Sequence, residues 1–196
     1  MTKVSSILIA TFSPWKDNKR AGTNGMIDPM LYYFLHRYKK VWLLDQPYPG
    51  SDKITPIIEI YNSSKLIRKK KTRFSSTLLM PFLIISNKPG THIAYKIRDI
   101  LSVIEAGFIS KNKFDLFIGL ESINTIGGIF LRKIGKVRTV AYYVSDYSPN
   151  RFKFKFLNGV YLWLDKYCAE KADFIWDVSP AMQPARIKAG LNPKKS

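Results

Sequence analysis

Short apolar, β-prone runs alternate along this chain with segments whose apolar residues repeat at helical spacing, and that alternation restricts the fold more than any other feature. Ser6-Ile-Leu-Ile-Ala-Thr-Phe12 predicts a strand, and the polar loop from Ser13 to Ile27 that follows it contains Gly22 and Gly25. Asp28-Pro29 supplies a helix cap and a first-turn proline, and Met30, Leu31, Phe34, Leu35 and Tyr38 predict a helix over 29–39. Val41–Asp45 and Pro56–Tyr61 read as strands joined by a turn too short for a crossover helix, which leaves their mutual direction open. Leu78–Ile85 is a short apolar run without decisive periodicity and is read as a buried strand.

Thr91 is placed to cap a helix striped by Ile93, Ile97, Ile100, Leu101, Ile104 and Phe108, which leads into strand Asp115–Gly119. Ser122 is expected to cap the next helix, and Arg138–Val144 has the weak alternation of a strand covered on both faces. A long helix marked by Phe152, Phe156, Val160, Trp163, Leu164 and Tyr167 then precedes strand Phe174–Val178. Ser179-Pro180 opens a last helix that Gly190 closes. The expected fold class is α/β: a Rossmann-like, doubly wound, mostly parallel sheet over residues 1–190, with ligands at the carboxyl ends of the strands.

Thirty-two Lys and Arg against 14 Asp and Glu give a net charge of +18, which suits nucleic acid, anionic lipid or phosphorylated substrates. The excess is uneven. Between Ile60 and Arg98 there is no acidic residue, and Lys65, Arg68, Lys69, Lys70, Lys71 and Arg73 lie together beside Leu66 and Ile67. Basic side chains next to apolar ones suit an anionic membrane surface; a solvated loop or a nucleic-acid patch would use the same charges. No RRM, KH, helix-turn-helix or zinc-finger signature accompanies them. The single cysteine, Cys168, cannot pair within the chain, and the amino-terminal apolar run is too short for a signal peptide, so a reducing, cytoplasmic setting is expected. No apolar run approaches the roughly 20 residues needed to cross a bilayer.

The segment Leu164-Asp-Lys-Tyr-Cys-Ala-Glu-Lys-Ala-Asp-Phe-Ile-Trp-Asp-Val-Ser-Pro-Ala-Met182 resembles an element of family 4 glycosyltransferases of the GT-B fold, where a helix ends in Ala-Asp, a strand follows and Val-Ser opens a helix. The strand and glycine loop Ile7–Gly25, the segment Phe114-Asp-Leu-Phe-Ile-Gly-Leu with Gly127-Gly128 after it, and the strand ending Tyr143-Val-Ser-Asp146 agree with it in order and spacing. The resemblance implies one half of a GT-B enzyme: the acceptor-side domain of a retaining, metal-independent transferase with no bound cofactor, taking a nucleotide-sugar donor as substrate and a lipid-linked or glycan acceptor. It also implies a partner, the carboxy-terminal donor-binding domain, with residues 191–196 as the start of the linker, and a peripheral location at the inner face of a membrane. Two family features have no counterpart here. Ser145-Asp146 stands where many members have a histidine, and the glutamates, at 59, 105, 121 and 170, include no pair spaced by eight.

The loop Ala21-Gly22-Thr23-Asn24-Gly25 is a candidate phosphate or sugar contact, because glycine admits close backbone approach and a helix amino terminus favours anions. It is neither a Walker loop nor GxGxxG, which weighs against a nucleotide-dependent oxidoreductase. Glu121, Ser122, Ser145, Asp146, Tyr147, Asp177 and Ser179 follow predicted strands, so a doubly wound sheet gathers them along one edge. Asp146 is the candidate catalytic residue on the acceptor side, with Glu121, Ser122, Ser145, Tyr147 and Arg151 as candidate substrate contacts. Lys153 and Lys155 could extend the basic patch. Ser122 and Ser179 also read as plain helix caps, Asp28 as a cap, and Cys168 as a packed side chain. His36 and His92 have no ligand-spaced neighbours, so no metal is expected. The alternative to the transferase is a non-catalytic basic domain that binds nucleic acid or another polyanion.

Overall fold

The apolar run at the amino terminus becomes the central strand, β1 (Ser6–Ser13), with β4 (Lys40–Pro47) parallel on one side and β7 (Phe114–Leu120) parallel on the other. This computed structural model describes residues 6–21, 27–85 and 92–191. Beyond β7 lie β8 (Val137–Val144) and β9 (Phe174–Asp177), again parallel. Beyond β4 lie β5 (Ile57–Asn62) and β6 (Lys65–Lys71), both antiparallel to their neighbours. The seven-stranded order is β6-β5-β4-β1-β7-β8-β9. A small hairpin, β2 (Trp15–Lys16) and β3 (Lys19–Arg20), follows β1.

Strand side chains alternate between two cores, as a sheet covered on both faces requires. Leu8, Ala10, Leu44, Ile58, Phe117, Val140 and Tyr142 pack under α3 (Ile93–Ile109), α4 (Glu121–Lys133) and α5 (Lys155–Lys171). Ile7, Ile9, Val41, Leu43, Ile118 and Tyr143 pack with Ile27, Leu31 and Phe34 of α1 (Ile27–Leu35). The α/β, Rossmann-like, mostly parallel arrangement is therefore as expected. The helix α2 (Phe74–Ile85) lies beside α3, and α6 (Met182–Lys188) is followed by Gly190, whose φ of +95° suits glycine.

Several local expectations are corrected. Leu78–Ile85 is helix, not strand. Its cause is distant in sequence: the Glu105 carboxylate of α3 accepts hydrogen bonds from the backbone N–H of Arg73 (2.6 Å), Phe74 (3.1 Å) and Ser75 (2.9 Å), satisfying the free donors at the start of α2. The basic stretch after Ser64 is the edge strand β6, where lysines discourage strand addition. The stripe expected to bury α3 does so only in part: Ile100, Leu101 and Ile104 are half-buried but Ile93, Ile97 and Phe108 are exposed, and the fully buried side carries Ala94, Arg98, Asp99, Ser102, Val103 and Ala106. Asp28 lies inside the first turn of α1 instead of capping it, and α1 stops at Leu35. The N-cap of α4 is Leu120, so Ser122 is no cap, and α6 begins at Met182, after Ser179-Pro180. Gly22, Thr23, Asn24, Gly25, Thr91 and the expected linker after Leu191 lie outside the described residues.

The lone thiol packs as expected. Cys168 has no exposed surface, burial pushes its pKa well up, and its Sγ donates to the Ser122 carbonyl at 3.4 Å. A thiol reagent is expected to leave the native protein unmodified and to label one site in denaturant; rapid native labelling would contradict this packing.

Candidate functional site

Parallel strands β1, β4, β7, β8 and β9 deliver their following residues to one edge, and the turn from β7 into α4 is its most constrained point. Glu121 begins α4 with φ +62°, a left-handed conformation that costs a side-chain-bearing residue about 1–2 kcal/mol. The surroundings hold it there. Its carboxylate accepts hydrogen bonds from Ser145 N (3.0 Å) and Ser145 Oγ (2.5 Å) at the end of β8. Thr125 Oγ1 donates to the carbonyls of Glu121 (2.9 Å) and Gly119 (3.1 Å), and Asn124 Nδ2 to that of Leu120 (3.0 Å). Backbone strain of this kind clusters at functional sites, which makes this turn the candidate.

Burial raises the Glu121 pKa, with the Ser145 hydrogen bonds and the charge of Arg151 pulling it partly back. Burial and then the Glu121 charge also raise the pKa values of Tyr48 and Tyr143, which places both hydroxyls in the field of this carboxylate. The sign for stability follows from proton linkage. The native state holds the Glu121 proton more tightly than the unfolded chain, so that stabilisation is complete below the ordinary carboxylate range and is lost as pH rises through the native pKa. Glu121→Gln removes the buried charge and keeps an acceptor for Ser145. Its Tm relative to the parent is expected to improve from about pH 4.5 to about pH 8. A difference independent of pH would contradict a raised Glu121 pKa.

Thr11 Oγ1, Asn124 Oδ1 and Tyr143 Oη, near this edge, are among the buried polar atoms that have no hydrogen-bond partner among the described residues. Each such atom costs about 1–3 kcal/mol unless water or a ligand satisfies it. Thr11 follows Ile7 and Ile9 on the α1 face of β1, and Tyr143 sits beside Leu120 in the register of β8 with β7.

Of the residues singled out in the sequence, Glu121, Ser145, Asp146 and Arg151 come together. Arg151 Nη1 lies 3.5 Å from Asp146 Oδ2, and its guanidinium sits 5.2 Å from the Tyr161 ring centroid. The Asp146 side chain is 66% exposed, so an incoming molecule can reach it. Tyr147 forms a wall, stacked under the Arg186 guanidinium at 5.0 Å. Ser122 is buried within α4. Asp177 ion-pairs with Arg186, and Ser179 Oγ accepts from Ala181 N at 3.3 Å, so both serve the local fold. The basic patch is elsewhere: Lys65, Arg68, Lys69, Lys70 and Lys71 occupy β6 at the far edge of the sheet, with Arg73 just after it, and Lys69 pairs with Glu59 at 2.8 Å.

Sequence reasoning missed Thr11, Asn124, Tyr143 and Tyr48, whose one signal is their position near strand ends. It also missed a buried network on the α1 face. Asp45 Oδ2 accepts from Trp15 Nε1 (3.0 Å) and Arg20 Nε (2.8 Å), and Arg20 reaches Glu59 Oε2 at 3.4 Å. Burial raises the Asp45 pKa against the pull of Arg20. For Glu59, burial works the same way, but hydrogen bonds from Lys69 and Tyr61 and the charge of Arg20 outweigh it and lower the pKa. These partners are too far apart in sequence to announce themselves.

Among the described residues no group of three or more His, Cys, Asp or Glu is placed to hold a metal ion. One cavity of about 350 Å³, lined by Trp42, Tyr61 and Phe114 among others, opens at the opposite edge, and one of about 190 Å³ lies beside Asp177 and Arg186. Neither includes Glu121. The Glu121 edge thus offers a buried carboxylate, an accessible carboxylate paired with a guanidinium, and unsatisfied hydroxyl and amide groups, a set suited to binding hydroxyls and orienting them. No protein-family model matches the chain, and no curated protein matches it with significant similarity.

Proposed function

We propose that this domain is the acceptor-side half of a retaining glycosyltransferase, which moves a sugar from a nucleotide-sugar donor to a lipid-linked or glycan acceptor. The observation that carries the reading is the strained Glu121, held by Ser145 beside Asp146 and Arg151 at the carboxyl edge of the sheet. Sugar hydroxyls both donate and accept, and the unpartnered Thr11, Asn124 and Tyr143 groups complement them. Asp146 is the candidate to orient, or take a proton from, the acceptor hydroxyl; Arg151 suits the phosphate of a lipid-linked acceptor. Glu121 and Ser145 act as positioning residues that set the shape of this loop. The order of motifs from Ile7 to Met182 supports the family assignment. On this reading the donor is held by a second, donor-binding domain, and catalysis rests on positioning and electrostatic stabilisation without a bound cofactor or metal.

Incubation of this chain with UDP-, GDP- and ADP-sugars and a farnesyl-diphosphate-linked N-acetylglucosamine acceptor tests the division of labour. Negligible release of nucleotide is expected. Turnover by this chain alone would overturn the half-enzyme reading.

A further inference from the structure

The helices α2 and α3 leave part of their apolar stripes uncovered, with Ile100, Leu101 and Ile104 of α3 half-buried between its exposed members. On α3 the buried side carries small and polar residues, while Ile93, Ile97 and Phe108 are 70%, 45% and 60% exposed. The helix α2 has no charged residue over its 12 positions, and Phe74, Leu78 and Phe82, spaced four apart along one stripe, are 65%, 57% and 60% exposed. The two helices pack side by side, with Leu83 of α2 against Ala94 and Tyr95 of α3. Exposed apolar surface of this extent marks a contact surface in a folded protein.

Its charge setting selects the occupant. In β6, Lys65, Arg68 and Lys70 pair with Asn62, Ile60 and Ile58, and Ile58 and Ile60 lie in the core covered by the α3–α5 layer, so these cations share the sheet face that α3 covers. Arg73 and Lys96 are exposed at α2 and α3 themselves. No acidic residue lies between Ile60 and Arg98, and the carboxylate of Glu105 is engaged at the start of α2. Two copies meeting through this surface would bring like charges together. An anionic bilayer accepts both the apolar stripes and the cations around them.

We propose that α2 and α3, with the cationic side of β6, form the docking surface for an anionic lipid bilayer. This inference is independent of the glycosyltransferase reading, since it uses none of the residues at the Glu121 edge. Flotation of the full chain with phosphatidylcholine vesicles, with and without 40% phosphatidylglycerol, is the test. Binding to the anionic vesicles alone is expected, weakened by salt. Leu78→Glu/Phe82→Glu and, separately, Arg68→Glu/Lys70→Glu are expected to reduce it at least ten-fold with Tm unchanged, because all four side chains are solvent-facing or at the sheet edge. Phe156→Glu, on the exposed side of α5, is expected to retain binding. Vesicle binding indifferent to the α2 and β6 variants would overturn the proposal. So would a concentration-dependent dimer abolished by Leu78→Glu/Phe82→Glu, or salt-sensitive binding to duplex DNA without affinity for anionic vesicles.

Discussion

Asp165→Ala is expected to lower the unfolding free energy by about 3–5 kcal/mol, the range for removing one partner of a buried ion pair. Asp165 lies on α5 with 3% of its surface exposed, and Arg186 on α6 with 1%. The carboxylate accepts from Arg186 Nε (2.8 Å), Arg186 Nη2 (2.9 Å) and Tyr142 Oη (2.7 Å). Burial opposes the charge on Arg186, but Asp165 outweighs it and raises the Arg186 pKa. Alanine leaves a buried guanidinium with Asp177 alone and an unpaired phenol. Because Arg186 also stacks on Tyr147, the variant should loosen the wall of the Glu121 edge as well as the seat of α6. Urea unfolding measures the loss, and replacing the pair together by Leu and Met should recover most of it. A loss below about 1 kcal/mol would show that the pair is not desolvated as described.

The second large effect concerns one glycine. Gly128 lies where α4 crosses β7, and a Cβ there would sit 2.1 Å from Cδ1 of the buried Phe117 ring. Gly128→Ala therefore forces α4 from the sheet or Phe117 from its rotamer. A net loss of about 1–2 kcal/mol is expected, an overpacking cost of up to about 3 kcal/mol exceeding the helix-propensity gain of about 1 kcal/mol. The same substitution at Gly159 of α5, where nothing lies within 4 Å, is expected to stabilise by up to about 1 kcal/mol. Phe117→Leu should soften the Gly128→Ala loss, and a double-mutant cycle by thermal or urea unfolding reads the coupling. Equal effects at both glycines would contradict the close approach of α4 to β7.

The sheet was legible where local pattern and tertiary demand coincide. Ser6–Phe12, Asp115–Gly119, Arg138–Val144 and Phe174–Val178 are apolar runs bounded by turn or capping residues, and each is a strand to within a residue or two. Pattern failed where a distant group decides. The helix α2 depends on Glu105, thirty or so positions away along the chain, and an uncharged apolar run carries no sign of that cap. The stripe of α3 is genuine, but periodicity cannot say which way a stripe faces when both sides of the helix contain packable residues. At the site, the position of Glu121 and Asp146 after strand ends followed from topology, whereas Ser145 came from the family resemblance and Arg151 from its charge. The left-handed backbone of Glu121 did not, since glutamate gives no hint of positive φ as glycine or asparagine would.

Binding of a sugar-bearing acceptor at the carboxyl edge around Glu121 is read out by a backbone amide NMR titration of the chain with farnesyl-diphosphate-linked N-acetylglucosamine. Saturable shifts confined to Gly119–Ser122 and Ser145–Arg151 are expected, lost in Asp146→Ala and retained when β6 carries Arg68→Glu/Lys70→Glu. Shifts restricted to β6 and α2, or none at the Glu121 edge, would contradict it.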